Sequence, residues 1–187
     1  MFAKANACNV LGMDGRMVEV EADLSNGMPG FDIVGLPDSA IKESKERIKN
    51  AIKNTGLKVP IKKLTINLAP ASLKKEGASF DLSIAMAVLA TENSMLCSKI
   101  GEYLLLGELA LDGKLRPVSG ILPMVIASVR AGIKKVILPI ENGAEAAVVE
   151  GAEVYPAEHL LHVYQHFVGE KELERCQVDI LDIMNYI

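Results

Sequence analysis

The sequence predicts a mixed α/β fold of the α+β two-layer kind, and three observations predict it. Several short stretches alternate apolar and polar residues with the period of a strand, and stretches of helical periodicity lie between them. One segment, Phe80 to about Thr91, is apolar on every side, as a helix in the middle of a fold must be. Asp112-Gly113, flanked by Tyr103–Leu111 and Lys114–Val118, is the strongest short-range hairpin signal in the chain. Strands and helices in this order bury their apolar faces by packing in layers.

The elements follow in order. Met17–Leu24 places Val18, Val20, Ala22 and Leu24 on one face and Glu19, Glu21 and Asp23 on the other, a half-exposed strand. Ser25–Gly30 is a turn cluster and Phe31–Val34 a second strand. Asp38 or Ser39 caps a helix running to about Asn54, with Ile41, Ile48 and Ile52 on its inner stripe. Lys63–Leu68 is a strand ending at Ala69-Pro70. After the apolar helix and the hairpin come a helix from about Leu122 to Ala131 and a strand at Lys135–Leu138. A short helix at Gly143–Val149, a strand at Glu153–Tyr155 and a helix at Ala157–Phe167 complete the compact part. Residues 1–168 therefore form one domain, and residues 169–187, charged and then apolar, read as a connector.

Composition excludes several functions. At 187 residues, half of them apolar, the chain buries a sizeable core. A net charge of −4 argues against a protein that coats nucleic acid, and 4% aromatics without tryptophan leave few stacking platforms for bases. Cys8, Cys97 and Cys176 are scattered, odd in number and without a CxxC, so they read as free thiols of a reducing, cytoplasmic protein. No charged-then-apolar leader follows Met1, and the apolar run near Ile84–Ala90 is too short to span a bilayer, so no membrane partner is expected.

Three chemistries can be tested on the residues. Phosphate binding by a P-loop needs a glycine-rich turn opening a helix, and neither GxxxxGK[ST] nor GxGxxG occurs, so no nucleotide cofactor is expected in this segment. His159, His162 and His166 fall along one edge of the last helix, where they serve as a polar flank rather than a metal site, and no metal is expected. Nucleophilic hydrolysis is the informative case. Lys75-Glu76-Gly77-Ala78-Ser79 resembles the segment that carries the nucleophile of Lon proteases, and Gly107–Gly120 and Ala131–Pro139 resemble the hairpin and strand that follow it there. The resemblance places the Lon general-base lysine at Leu122, which cannot take a proton; Arg130, the nearest cation in that helix, stays protonated. No catalytic residue is therefore expected, and Ser79 is expected to cap the buried helix, with Asp81 favoured by the helix dipole.

Longer motifs carry a closer resemblance. Ser25-Asn26-Gly27-Met28-Pro29-Gly30-Phe31-Asp32-Ile33-Val34-Gly35-Leu36-Pro37-Asp38, Ile66-Asn67-Leu68-Ala69-Pro70-Ala71-Ser72-Leu73-Lys74-Lys75-Glu76-Gly77 and Phe80-Asp81-Leu82 resemble the ComM/YifB, magnesium-chelatase-like family of bacterial AAA+ ATPases. That resemblance implies a Lon-like, ribosomal-protein-type domain placed ahead of an AAA+ module that lies beyond this segment. It further implies ATP and Mg as cofactors of that module, a homo-hexameric parent, and action on DNA in recombination or natural transformation.

One feature of the residues bears on DNA independently. The window from Lys42 to Lys75 holds ten Lys/Arg against three acids even when Glu76 is included. Lys42, Lys45, Arg47, Lys49, Lys53, Lys62, Lys63, Lys74 and Lys75 are thus candidate contacts to nucleic acid or a partner. The alternative is a solvated helix face with charge pairs one turn apart. Three functions follow: an accessory domain that engages DNA, regulates or supports assembly; a Lon-type serine peptidase with another base; and a protein-docking domain.

Overall fold

The computed structural model describes residues 1–178, and the last nine residues of the expected connector lie outside them. Seven strands form one mixed sheet: β1 (Phe2–Leu11), β2 (Asp14–Ser25), β3 (Gly30–Val34), β4 (Lys63–Ala69), β5 (Tyr103–Leu105), β8 (Lys135–Pro139) and β9 (Glu153–Ala157). Their order across the sheet is β3-β4-β2-β1-β5-β8-β9. The β1–β2 and β2–β4 pairs are antiparallel; β3–β4, β1–β5, β5–β8 and β8–β9 are parallel. A separate ribbon, β6 (Glu108–Leu109) with β7 (Leu115–Arg116), is the hairpin around Asp112-Gly113.

Alternation decides which face of each strand is buried. In β2, Val18, Val20, Ala22 and Leu24 enter the core while Glu19, Asp23 and Ser25 face water. Against that inner face pack α1 (Ser39–Asn54) and α2 (Asp81–Ala90), with α3 (Ser94–Lys99) and α6 (Leu160–Val168) extending the layer. All ten residues of α2 are buried, as its unbroken apolarity predicts. Asp38 caps α1 as read from the sequence, its carboxylate accepting the Ile41 N–H at 2.9 Å.

The mixed α/β class stands, and the structure adds a third layer. On the opposite face α4 (Ile121–Arg130) packs across β2 and β1 and α5 (Gly143–Ala147) beside β9, closing a second core around Cys8, Leu104, Met124, Val136 and Leu138. Burial on both faces makes β5 and most of β8 continuous apolar runs rather than alternating ones.

The sequence reading missed β1, the strand at the centre of the sheet. Its inward residues are Ala3, Ala5 and Ala7, whose β propensity is low, yet they pair with β2 over ten positions and let α2 approach closely. The expected connector is in part docked. Leu173 packs on the core, and the Cys176 N–H donates to the Val154 carbonyl at 2.7 Å, beside the β9 edge.

Candidate functional site

At the N-terminal end of α2 the residues preceding it line a cleft of about 260 Å³. Glu76, Ser79, Glu108, Ser119 and Met124 contribute to its walls. The loop before α2 is held from beneath. Asn9, buried in β1, donates to the Lys74 carbonyl at 3.0 Å and accepts the Glu76 N–H at 3.0 Å. The second oxygen of Asp38 accepts the Gly77 N–H at 3.0 Å, tying the start of α1 to the same loop.

Ser79 does not cap α2. The helix begins one residue later than that role requires, after Phe80, and no side chain caps it. Its first turn is satisfied by backbone instead: Asp81 N–H donates to the Ala78 carbonyl at 3.2 Å and Leu82 N–H to the Gly107 carbonyl at 3.1 Å. A strand-end carbonyl therefore supplies what the sequence assigned to a hydroxyl. Ser79→Ala should change stability by less than about 0.5 kcal/mol, against ~1 kcal/mol for a lost cap, as read by urea unfolding.

The residue that shares the cleft with Ser79 is Met124, and Leu122 sits elsewhere. Two positions along a helix are about 200° apart around its axis. Leu122 accordingly turns outward at 37% exposure, while Met124 is 1% exposed and lines the cleft. The physical point of the sequence reading survives the change of residue, because a thioether sulfur is a weak acceptor and no better a base than leucine. The ionisable side chains of the cleft are Glu76 and Glu108.

Asp81, immediately inside the helix, is 1% exposed and holds Arg47 of α1 through Nε at 2.8 Å and Nη2 at 3.0 Å. It also accepts the Leu109 N–H of β6 at 3.0 Å. Burial pushes the Asp81 carboxyl above its ordinary value, and the Arg47 and Leu109 hydrogen bonds oppose that rise. One carboxylate thus joins α1, α2 and the hairpin that walls the cleft.

The nine predicted cations do not form one surface. Lys75 leaves the candidate set: its side chain is fully buried and its ammonium donates to the carbonyls of Gly35, at 2.7 Å, and Pro70. Desolvation lowers its pKa, and a group without exposed surface meets no phosphate. Arg47 is largely committed to Asp81 and the Ala40 carbonyl. Lys74 is exposed near Glu76 at 3.8 Å. It lies beyond the far end of β4 from Lys62 and Lys63, roughly 20 Å away by strand rise. Lys42 and Lys45 project from the first half of α1, and Lys49, Lys53 and Lys62 line one groove together with Lys58.

The histidines serve structure. His159 precedes α6, its Nδ1 accepting the Leu161 N–H at 3.0 Å and its Nε2 facing the Asp112 carbonyl at 2.8 Å. His166 Nδ1 accepts the Leu173 N–H at 2.9 Å, so its Nε2 carries the proton toward the Tyr103 oxygen at 3.0 Å. Among the described residues no group of three or more His, Cys, Asp or Glu is placed to hold a metal ion. Burial lowers the pKa of His166, Lys135 and Lys99 act in the same direction, and Glu172 opposes them. A depressed folded-state pKa means the unfolded chain binds the extra proton first, so this contribution is complete above the ordinary value of 6.5 and is lost below it. The melting temperature should therefore fall as pH is lowered from about 7 to about 5.5, and His166→Gln should flatten that slope.

Residues 20–142 match the family model described as subunit ChlI of Mg-chelatase. The chain belongs to the ComM/YifB family of ChlI-like proteins. It is 42% identical over 165 residues to YifB of Salmonella typhimurium, covering 88% of this chain and 32% of that protein. It is 39% identical over 163 residues to the competence protein ComM of Haemophilus influenzae, covering 87% of this chain and 32% of the relative. A more distant similarity, 23% over 164 residues, joins 81% of the chain to 20% of the Lon protease of Rhizobium meliloti. The chain thus spans about a third of the length of the ComM/YifB relatives it matches. No helix among the described residues is long and apolar enough to cross a membrane.

Proposed function

We propose that this segment is a non-catalytic accessory domain of a longer AAA+ ATPase, with residues 1–168 as its body and the residues after them leading into the motor. The observation that carries the reading is the content of the Ser79 cleft. Ser79, two residues ahead of a buried helix, shares its cleft with Met124, Glu76 and Glu108. Among the described residues no amine or imidazole lines that cleft, so its hydroxyl has no lysine or histidine to activate it for acyl transfer. The ATP and Mg of the parent belong to the module outside this segment; the parent is a cytoplasmic homo-hexamer acting on DNA in recombination or natural transformation. Family membership and the one-third coverage of the relatives support this extension.

A serine-reactive fluorophosphonate separates this from the peptidase reading. Ser79 should remain unlabelled in the wild type; stoichiometric labelling abolished by Ser79→Ala would establish catalysis and overturn the proposal. The DNA-engaging part rests on Lys42, Lys45, Lys63 and Lys74, the candidate cations that lie outside the groove of Lys49, Lys53 and Lys62. Fluorescence anisotropy of a labelled duplex should show binding at low salt that falls steeply as salt rises and is indifferent to base sequence. A flat titration at low salt would remove DNA from the role of this domain.

A further inference from the structure

Two surfaces lie outside the Ser79 cleft, and their chemistry is complementary. The first is a groove of about 730 Å³ between α1 and the segment 57–62. Leu57, Val59 and Ile61 supply its apolar side, Ile61 at 85% exposure, and Lys49, Lys53, Lys58 and Lys62 outnumber Glu46 and Glu92 around it. Among the described residues Lys53, Lys58 and Lys62 form no ion pair, and Lys49 reaches Glu46 at 3.8 Å. A phosphate backbone asks for cations and gains nothing from an apolar floor, whereas an amphipathic helix needs both.

The second surface has that character. A 3₁₀ turn at Ile140–Asn142 runs into α5, and helical spacing puts residues 140, 141, 144, 145 and 148 on one side. Ile140 is 52% and Val148 41% exposed, Ala144 lies exposed between them, and the exposed Glu141 and Glu145 run alongside. Neither glutamate forms an ion pair among the described residues. An apolar row with two carboxylates beside it thus matches an apolar groove whose four lysines leave a net positive rim over Glu46 and Glu92. The two cannot meet within one molecule. The groove lies beside β3 and β4 and the acidic face beside β8 and β9, opposite ends of the sheet separated by roughly 20–30 Å at the usual strand spacing.

We propose that the 140–148 face of one copy of this chain docks in the Lys49–Lys53–Lys58–Lys62 groove of the next. Two different patches meet, so the contact is heterologous, runs head to tail and closes into a ring when the rotation per copy allows. This deepens the assembly part of the function proposed above. Its failure is distinguishable from failure of that reading, which the mass of the full-length parent tests separately. Stable dimers bury about 800 Å² per partner, more than five side chains provide, so covalent capture is the suitable readout for this chain.

In a chain carrying Cys97→Ser and Cys176→Ser, Ile61→Cys is introduced into one population and Val148→Cys into another. Mild oxidation of the mixture should give a mixed disulfide dimer about tenfold above either population alone. Glu141→Lys with Glu145→Lys on the Val148→Cys chain should lower that yield about tenfold, and Lys53→Glu with Lys58→Glu on the partner should restore it. Circular dichroism of each variant separates lost docking from lost folding. Equal dimer from Ile61→Cys alone, no dimer from folded variants, or no response to the charge reversals would overturn the proposal. So would a groove whose lysines govern duplex binding while no mixed disulfide forms.

Discussion

Asp81→Ala is expected to destabilise the domain by roughly 3 kcal/mol, read as a lower urea midpoint with unchanged slope. The carboxylate is buried and has three donors, two from Arg47 and one from the Leu109 backbone. Truncation leaves a guanidinium with 22% of its side chain exposed and without its hydrogen-bonded carboxylate, and an N–H without its acceptor. The partial exposure of Arg47 places the loss at the lower end of what breaking a buried pair costs. Replacing both partners, as Arg47→Met with Asp81→Leu, should recover most of the stability, since it removes two desolvated charges rather than one. A loss below about 1 kcal/mol for Asp81→Ala would show that the pair does not hold α1, α2 and the hairpin together.

Gly35→Ala is the second large effect, at roughly 2–5 kcal/mol, enough to lower soluble yield sharply in a domain of ordinary stability. Gly35 follows β3 at φ +100°, where an L side chain is strained. A Cβ there would strike the Leu68 carbonyl oxygen and lie 2.9 Å from the Leu68 nitrogen. Leu68 belongs to the paired backbone of β4 and cannot yield without breaking the sheet. The Gly35 carbonyl also accepts the buried Lys75 ammonium, so displacement would unseat that lysine and the loop it anchors. Gly56→Ala makes a suitable comparison. It has a similar φ of +83° and no atom within 4 Å of the new Cβ, so it isolates the backbone term.

Much of the cleft was readable as position but not as partnership. Ser79 is found ahead of the apolar helix, because unbroken apolarity and the Lys75–Ser79 segment fix where α2 begins. Which residue faces it was not readable, since the resemblance to Lon points to Leu122, and a shift of two positions along a helix exchanges that outward residue for an inward Met124. The N-terminus of α2 shows a related limit. Sequence offers a serine for capping, but the acceptor actually used is the Gly107 carbonyl, brought there only when β5 and the hairpin are in place.

By itself the sequence determined the mixed α/β class, the alternating strands β2 and β4, the amphipathic α1 with its Asp38 cap, the buried α2 and the hairpin. Each of these is a local pattern, set by side-chain period or turn chemistry within about a dozen residues. Tertiary structure decided the rest. It placed the alanine-rich β1 at the centre of the sheet, where close packing of small residues outweighs their weak strand preference. It sorted a single run of cations into a buried lysine, a paired arginine and an open groove. Charge is written along the chain, but its exposure is a property of what the fold brings beside it.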